Sequence, residues 1–132
     1  MSKNITIPSV SNNGEGASVF SSREISLHGD SQRLLSDQQQ AVNFRLRESD
    51  ASYASDWHVA GDPTLLIILA GALRIELRNG ETRDFFAGDK FIAEDYLPAN
   101  QPFNSRLHGH RAEVLGDDIL SVIHLKLEKR ID

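Results

Sequence analysis

Five histidines and one pair of adjacent carboxylates are the side chains of this sequence best suited to chemistry. His108 and His110 are separated by a single glycine, and residues two apart on a strand share a face. Their imidazoles could therefore converge on one metal ion. Together with a carboxylate, imidazoles suit iron, manganese, nickel or zinc. The alternative is that His108 is an exposed loop residue.

Glu94 and Asp95 are the pair of adjacent carboxylates that follows a predicted strand. One of them could act as a general base or supply a carboxylate ligand to a metal. Neighbouring residues on a strand point to opposite faces, so at most one of the two is expected to enter the interior. The alternative is a solvated strand end. Arg106 and Arg111 could bind an anion, although surface arginine is the ordinary case.

Other catalytic signatures are absent from the sequence. It has no cysteine, which excludes disulfides, a thiolate nucleophile and a cysteine-type zinc site. It also lacks a glycine-rich phosphate loop, a GxSxG elbow and a zincin motif.

The length and the charge restrict the classes of protein further. A chain of 132 residues is expected to form one domain. Its net charge of -5 argues against nucleic acid and anionic membrane as partners. The N-terminus lacks the apolar stretch of a signal peptide, and the apolar run 65–73 is too short to span a bilayer. We therefore expect a soluble, cytoplasmic protein.

The elements that would position these side chains are predicted to be strands. Residues 1–18 are rich in Ser, Asn and Gly and are expected to form a flexible arm, followed by a single domain over 19–132. A weak strand is predicted at 19–27. Val42, Phe44 and Leu46 alternate with polar residues, which predicts a strand with one buried face. The run 64–71 is predicted to be a strand buried on both faces.

Asn79-Gly80 predicts a type I′ hairpin turn. That turn would pair Arg78 with Glu81 and Glu76 with Arg83, and would require a bulge near Phe85. A proline-punctuated loop covers 96–107. Two strands separated by Gly116-Asp117 complete the chain; the second is expected to bury Ile119, Ser121, Ile123, Leu125 and Leu127 and to turn His124 and Lys126 outward.

Many short strands and scarcely a helix predict an all-β sandwich or barrel. Three segments make the chain resemble a cupin, and they read "DWHVAGDPTLLIILAGALRIEL", "NGETRDFFAGDKFIAED" and "GHRAEVLGDDILSVIHLKL". The resemblance covers about 42–127 and implies the cupin double-stranded β-helix, a jelly-roll barrel. One group of small bacterial cupins is similar in having Trp-His-x-Ala before the buried strand, Glu-Asp after the Gly-Asp turn, and then a Gly-His pair.

The resemblance also implies which residues form the site. Counted from His58, the second histidine of the first cupin motif falls on Ala60 and its glutamate on Thr64, so two of the three ligands in that motif are lost. His110 matches the histidine of the second motif after an insertion at 96–107. The predicted ligand-binding residues are Trp57, His58, Glu94, Asp95 and His110. The predicted metal ligands are His58, His110 and His108.

Two hypotheses follow. The first is a small-molecule-binding cupin without a catalytic metal, whose ligand occupies the barrel interior. The second is a metal-dependent enzyme, an oxygenase or an isomerase or lyase acting on a small oxygenated compound, with one Fe, Mn, Ni or Zn ion. Metal-free acid/base catalysis by Glu94 or Asp95 with His58 also remains open. A homodimer is expected because the edge strands of a jelly roll need cover, which the N-terminal arm could provide.

Overall fold

The computed structural model describes residues 1–131, and within this range every regular element is a strand. The ten strands are β1 (Ser2–Asn12), β2 (Ser18–Asp30), β3 (Arg33–Leu35), β4 (Ala41–Ser49), β5 (Thr64–Ala70), β6 (Ala72–Leu77), β7 (Thr82–Phe86), β8 (Lys90–Ala93), β9 (His110–Leu115) and β10 (Leu120–Leu127). Over the same residues no helix is long and apolar enough to cross a membrane.

Within residues 1–131 the strands form two sheets and no closed barrel. The larger sheet has the order β3-β2-β1-β8-β5-β10-β4, and the smaller has the order β7-β6-β9. Apolar side chains from both sheets meet in one buried cluster, which includes Ile68, Phe91 and Val122 from the larger sheet and Leu73 and Ile75 from the smaller. The all-β prediction is therefore confirmed, and the architecture is a two-layer sandwich.

The segment before β5 extends the smaller sheet without forming a regular strand. Ala54 bridges Glu113, and His58 bridges His110, both in antiparallel fashion. Both contacts lie on the edge of β9 opposite to β6. This pairing brings His58 next to the start of β9.

The N-terminal residues differ from the prediction. Most of the predicted arm, 2–12, forms β1, which pairs with β2 over its whole length and runs parallel to β8 at Ser9 and Val10. Ile7 and Val10 are buried. The Ser- and Asn-rich composition suggested a loose arm, but these two side chains lie on opposite faces of β1, and each is buried in a different apolar cluster, which anchors the strand.

The hairpin between β6 and β7 is present with a different turn. Leu77 N–H donates to the Glu81 carbonyl at 2.9 Å, so three residues form the loop. Gly80 has φ +92° and Asn79 is not left-handed, which excludes type I′. The register consequently shifts, and Arg74 pairs with Asp84 at 2.8 Å instead of the predicted partners. The strands pair without a bulge at Phe85.

The larger sheet differs from the prediction in which of its faces are buried. Phe44 and Leu46 on β4 are 66% and 71% exposed, because their face of the sheet points away from the smaller sheet. On β10 the residues turned to the interior are Leu120, Val122 and His124, not the predicted odd-numbered set. Both faces of this sheet are apolar, so alternation alone did not identify the interior face.

Candidate functional site

A pocket with a volume of about 240 Å³ lies between the two sheets. Its walls are mostly apolar and its mouth is polar. The apolar lining comes from both sheets and includes Leu66, Leu73, Ile75, Phe91, Leu120 and Val122. The polar lining consists of Arg47, Tyr53, His58, Thr64, His110 and His124. A few polar groups above an apolar base are typical of small-molecule sites.

His110 is fixed at the pocket wall by a buried carboxylate. Asp95 Oδ2 lies 2.7 Å from His110 Nδ1, and the two residues are 0% and 3% exposed. Asp95 also accepts hydrogen bonds from Ser18 Oγ at 2.7 Å and from the Ala60 N–H at 3.0 Å. The oxygens of this carboxyl group thus act as hydrogen-bond acceptors. His110 therefore carries its proton on Nδ1 and leaves Nε2 as an acceptor.

His58 packs directly on His110. The ring centroids are 4.5 Å apart with a tilt of 58°, and each backbone N–H donates to the other residue's carbonyl at 2.9 Å. Gly109 makes this approach possible, because it has φ +89° and a Cβ there would lie 2.4 Å from the His58 carbonyl oxygen. His58 Nδ1 lies 2.9 Å from the Asp56 carbonyl, which leaves its Nε2 as an acceptor too.

Two of the pocket imidazoles, those of His58 and His124, have a lowered pKa. Burial is the largest effect that lowers the pKa of His58, although one edge of the ring is exposed, and the nearby His110 lowers it further. Burial also lowers the pKa of His124, with smaller contributions from Arg47 and Arg45. Neutral imidazoles of this kind can accept or donate a hydrogen bond to a ligand.

Glu94 lies outside the pocket, although its neighbour Asp95 orients His110 in the pocket wall. The Glu94 carboxylate is buried and forms an ion pair with Arg23, whose Nε lies 3.0 Å from Oε2. Arg130 approaches the same carboxylate at 3.5 Å and donates to the Glu94 carbonyl at 2.6 Å. Glu94 thus ties β2 and the C-terminal segment to the end of β8.

His108 is buried in the 96–109 loop, away from the other two imidazoles. The Asn104 N–H donates to His108 Nδ1 at 2.9 Å, and the side-chain amide of Gln101 lies 3.1 Å from Nε2. Arg78 donates to the His108 carbonyl at 2.9 Å and to the Ser105 carbonyl. His108 therefore helps to order the loop.

Trp57 lies beside the pocket without lining it. Two guanidinium groups pack on its indole ring, that of Arg78 at 3.9 Å and that of Arg111 at 4.7 Å from the ring centroid. Arg111 is also bonded to Glu76 at 2.6 Å. The indole and the two arginines connect the segment before β5 to the smaller sheet and to the loop.

The side chains present do not fit a metal centre with three protein ligands. His58 and His110 offer two Nε2 atoms, but Ala60 and Thr64 carry no metal-binding group and Asp95 is engaged by three donors. Among residues 1–131 no group of three or more His, Asp or Glu side chains is arranged to hold a metal ion. Centres of the expected type need at least three such ligands.

Three pocket residues were not predicted from the sequence, namely Arg47, Tyr53 and His124. Arg47 lies on the interior face of β4, and its guanidinium packs 4.5 Å from the Tyr53 ring centroid. His124 was predicted to point outward. A signal was present, because Leu120, Val122 and His124 are spaced by two, but the odd-numbered residues of the same strand are equally apolar.

The fold and the site together define an all-β, two-sheet protein with a pocket between its layers. No protein-family model matches the chain, and no curated protein does. Among solved structures, protein NMB1881 from Neisseria meningitidis is similar with a TM-score of 0.46 and 14% identity, over 70% of this chain and 84% of that one.

The capsular polysaccharide assembling protein CapF from Staphylococcus aureus is similar with a TM-score of 0.40 and 13% identity. That likeness covers 80% of this chain but only 29% of CapF. At this level of similarity neither structure assigns a family or a function to the chain. The site must be interpreted from its own residues.

Proposed function

We propose that this protein is a cupin-type jelly roll that binds a small molecule in the pocket between its sheets. The observation that carries the proposal is the pocket itself, a mostly apolar cavity whose wall holds an imidazole oriented by a buried carboxylate. An imidazole fixed by Asp95 is organised to meet a ligand, because its protonated nitrogen is already engaged and the other faces the cavity.

The strand order supports the jelly-roll part of the proposal. An eight-stranded jelly roll distributes its strands over two sheets that pack face to face. In this chain β4-β10-β5-β8 are neighbours in one sheet, while β7-β6-β9 and the bridging segment 54–58 are neighbours in the other. In the larger sheet, β1, β2 and β3 form an extension that is added to the edge at β8.

A pair of matched variants tests the binding function. Ala112 lines the pocket, and Ala72 on β6 of the same sheet does not. Benzamide serves as a compact, neutral probe, observed by saturation-transfer NMR. We expect the wild type and Ala72→Leu to bind benzamide and Ala112→Leu to lose binding, because the larger side chain fills the cavity. Binding that survives Ala112→Leu, or a wild type that binds neither benzamide nor its anionic counterpart benzoate, would contradict the proposal.

A metal-dependent enzyme using His58, His110 and His108 is the competing hypothesis. It is less well supported, because the ring of His108 is engaged inside its loop. Elemental analysis of protein purified without an affinity tag separates the two. Near-stoichiometric Fe, Mn, Ni or Zn that is lost in both His58→Ala and His110→Ala would favour the enzyme.

We also propose that two copies associate through the outer face of the larger sheet. Phe44, Leu125, Leu65 and Ile92 form one cross-strand row on this face. Leu46, Ile123 and Ile67 form a second row, which ends at Lys90. Across β4, β10 and β5 both rows are entirely apolar, so a second copy presenting the same rows is complementary in a two-fold arrangement. The β1-β2-β3 extension covers the opposite edge and leaves β4 open.

A further inference from the structure

The pocket carries basic groups without acidic ones. Its polar lining includes one arginine and three histidines, Arg47, His58, His110 and His124. Among the described residues that line it there is no Asp or Glu. Asp95 lies behind His110, where three donors already engage it. This local balance is opposite to the net charge of the chain, which is -5.

Arg47 is the fixed positive charge of the mouth. Its guanidinium rests on the Tyr53 ring at 4.5 Å, and its Nε donates to Ser49 Oγ at 3.2 Å. Within residues 1–131 no ion pair involves Arg47, in contrast to Arg74, Arg111 and Arg23. An arginine held by an aromatic ring and a hydroxyl keeps its remaining N–H donors for a ligand.

The imidazoles respond to this charge. Arg47 contributes to the lowered pKa of both His58 and His124, which places its positive field across the mouth. Neutral imidazoles do not repel a cation by charge, but the arginine does. An anion gains both from the guanidinium and from any imidazole N–H that turns toward it.

The apolar lining and the volume of the cavity restrict the size and polarity of the rest of the ligand. Its base is formed by Leu73, Ile75, Phe91 and Val122, which offer no hydrogen bonds from their side chains. The volume of about 240 Å³ lies below the usual range of roughly 300–1,000 Å³ for ligand pockets. The ligand is therefore compact, with an apolar body that enters the base and a single polar end that remains at the mouth.

We propose that the pocket selects a compact carboxylic acid, with its apolar body between the sheets and its carboxylate at Arg47. This inference rests on the proposed binding function and adds the class of ligand. A carboxylate is favoured over a larger anion because the cavity of about 240 Å³ is small and one planar guanidinium is enough to bind a carboxylate in a bidentate manner.

Benzoate and benzamide form the test, because they share a ring and differ in charge at the polar end. Affinities are measured by NMR titration on the wild type, on Arg47→Gln and on Arg33→Gln, a control on the exposed strand β3. We expect the wild type to bind benzoate about tenfold more tightly than benzamide. Arg47→Gln weakens benzoate binding far more than benzamide binding and so removes that preference, whereas Arg33→Gln keeps it. Circular dichroism confirms that each variant is folded.

The outcomes separate the inference from the function on which it rests. Equal affinity of the wild type for benzoate and benzamide overturns the carboxylate inference and leaves the binding function standing. An equal loss of both probes in Arg47→Gln also overturns it, because the arginine would then act on the shape of the pocket. If neither probe binds the wild type at millimolar concentration, the binding function fails and the inference fails with it.

Discussion

Asp95 and His110 are joined by a hydrogen bond of 2.7 Å that is closed to solvent on all sides. The bond links the end of β8 to the start of β9 and therefore one sheet to the other. It also fixes which imidazole nitrogen faces the pocket. The same contact therefore stabilises the fold and orients the imidazole of the proposed site.

Asp95→Asn tests this double role. Asparagine keeps the shape but offers one acceptor oxygen, and the side chain is surrounded by three donors. We expect a loss of about 1–3 kcal/mol in the free energy of unfolding, measured by urea denaturation. Imidazole ¹⁵N shifts are expected to show a protonated Nδ1 at His110 in the wild type and a changed tautomer in the variant. Ser18→Ala is the control, because it removes one donor and is expected to leave the tautomer unchanged.

Glu94 provides the contrasting case on the adjacent residue. Arg23→Gln leaves the buried Glu94 carboxylate with Arg130 as its nearest remaining cation, at 3.5 Å. We expect a destabilisation of about 3 kcal/mol. The double variant Arg23→Gln/Glu94→Gln should recover much of that loss, since no charge is then left buried. Benzamide binding should be unchanged in both, because Glu94 is outside the pocket; weakened binding in the folded double variant would contradict this assignment.

The close approach of His58 to His110 depends on Gly109. Gly109→Ala adds a Cβ 2.4 Å from the His58 carbonyl oxygen in a left-handed conformation. Gly80 has a similar φ of +92° with open space around it, so Gly80→Ala measures the conformational cost alone. We expect about 1 kcal/mol for Gly80→Ala and about 3 kcal/mol for Gly109→Ala, by thermal and urea denaturation. Equal losses of unfolding free energy in the two variants would show that the backbone at His58 can move to accept the added Cβ.

The pH dependence of stability should reveal the lowered pKa of His124. Burial and the facing Arg45 and Arg47 lower its pKa from the ordinary value of 6.5. The unfolded chain therefore takes up a proton first, and the free energy of unfolding decreases as the pH falls through 6.5 toward the pKa of the folded state. His124→Gln should reduce this loss, and His28→Gln, at an exposed site, should not. His58 should contribute in the same sense, because burial lowers its pKa as well.

The parts of the structure that could be predicted from the sequence are those set by local patterns. Alternation located β4, and Asn79-Gly80 located a hairpin. The continuous apolar run located β5, but the strand is not buried on both faces along its whole length, because Leu69 is 51% exposed. The turn type and register were missed, because Gly80 alone adopts the left-handed conformation in a three-residue loop. The shift in register is small, yet it replaces both of the predicted cross-strand charge pairs.

The site was harder to predict, since it depends on contacts between distant segments. The bond between Asp95 and His110 spans 15 positions, and that between Ser18 and Asp95 spans 77. Arg47 and His124 line the pocket because their strands turn those residues inward. The apolar residues of β4 lie on its exposed outer face, and β10 has apolar residues on both faces, so the alternation pattern did not indicate the interior face. The spacing of His108 from His110 predicted that both were metal ligands. However, β9 begins at His110, so the ring of His108 lies in the preceding loop, whereas the ring of His110 lies at the pocket wall.

The outer face of the larger sheet provides the last prediction. We expect the wild type to behave as a dimer of 14.7 kDa chains in light scattering after size-exclusion chromatography. Leu46→Glu should give a monomer, because a charge would be buried in an apolar interface. Asn43→Glu is the matched control, being exposed on the same strand with its side chain on the opposite face. Both variants should keep the wild-type circular dichroism spectrum. A wild type of monomer mass, or a dimer that tolerates Leu46→Glu, would show that this apolar face does not join two copies.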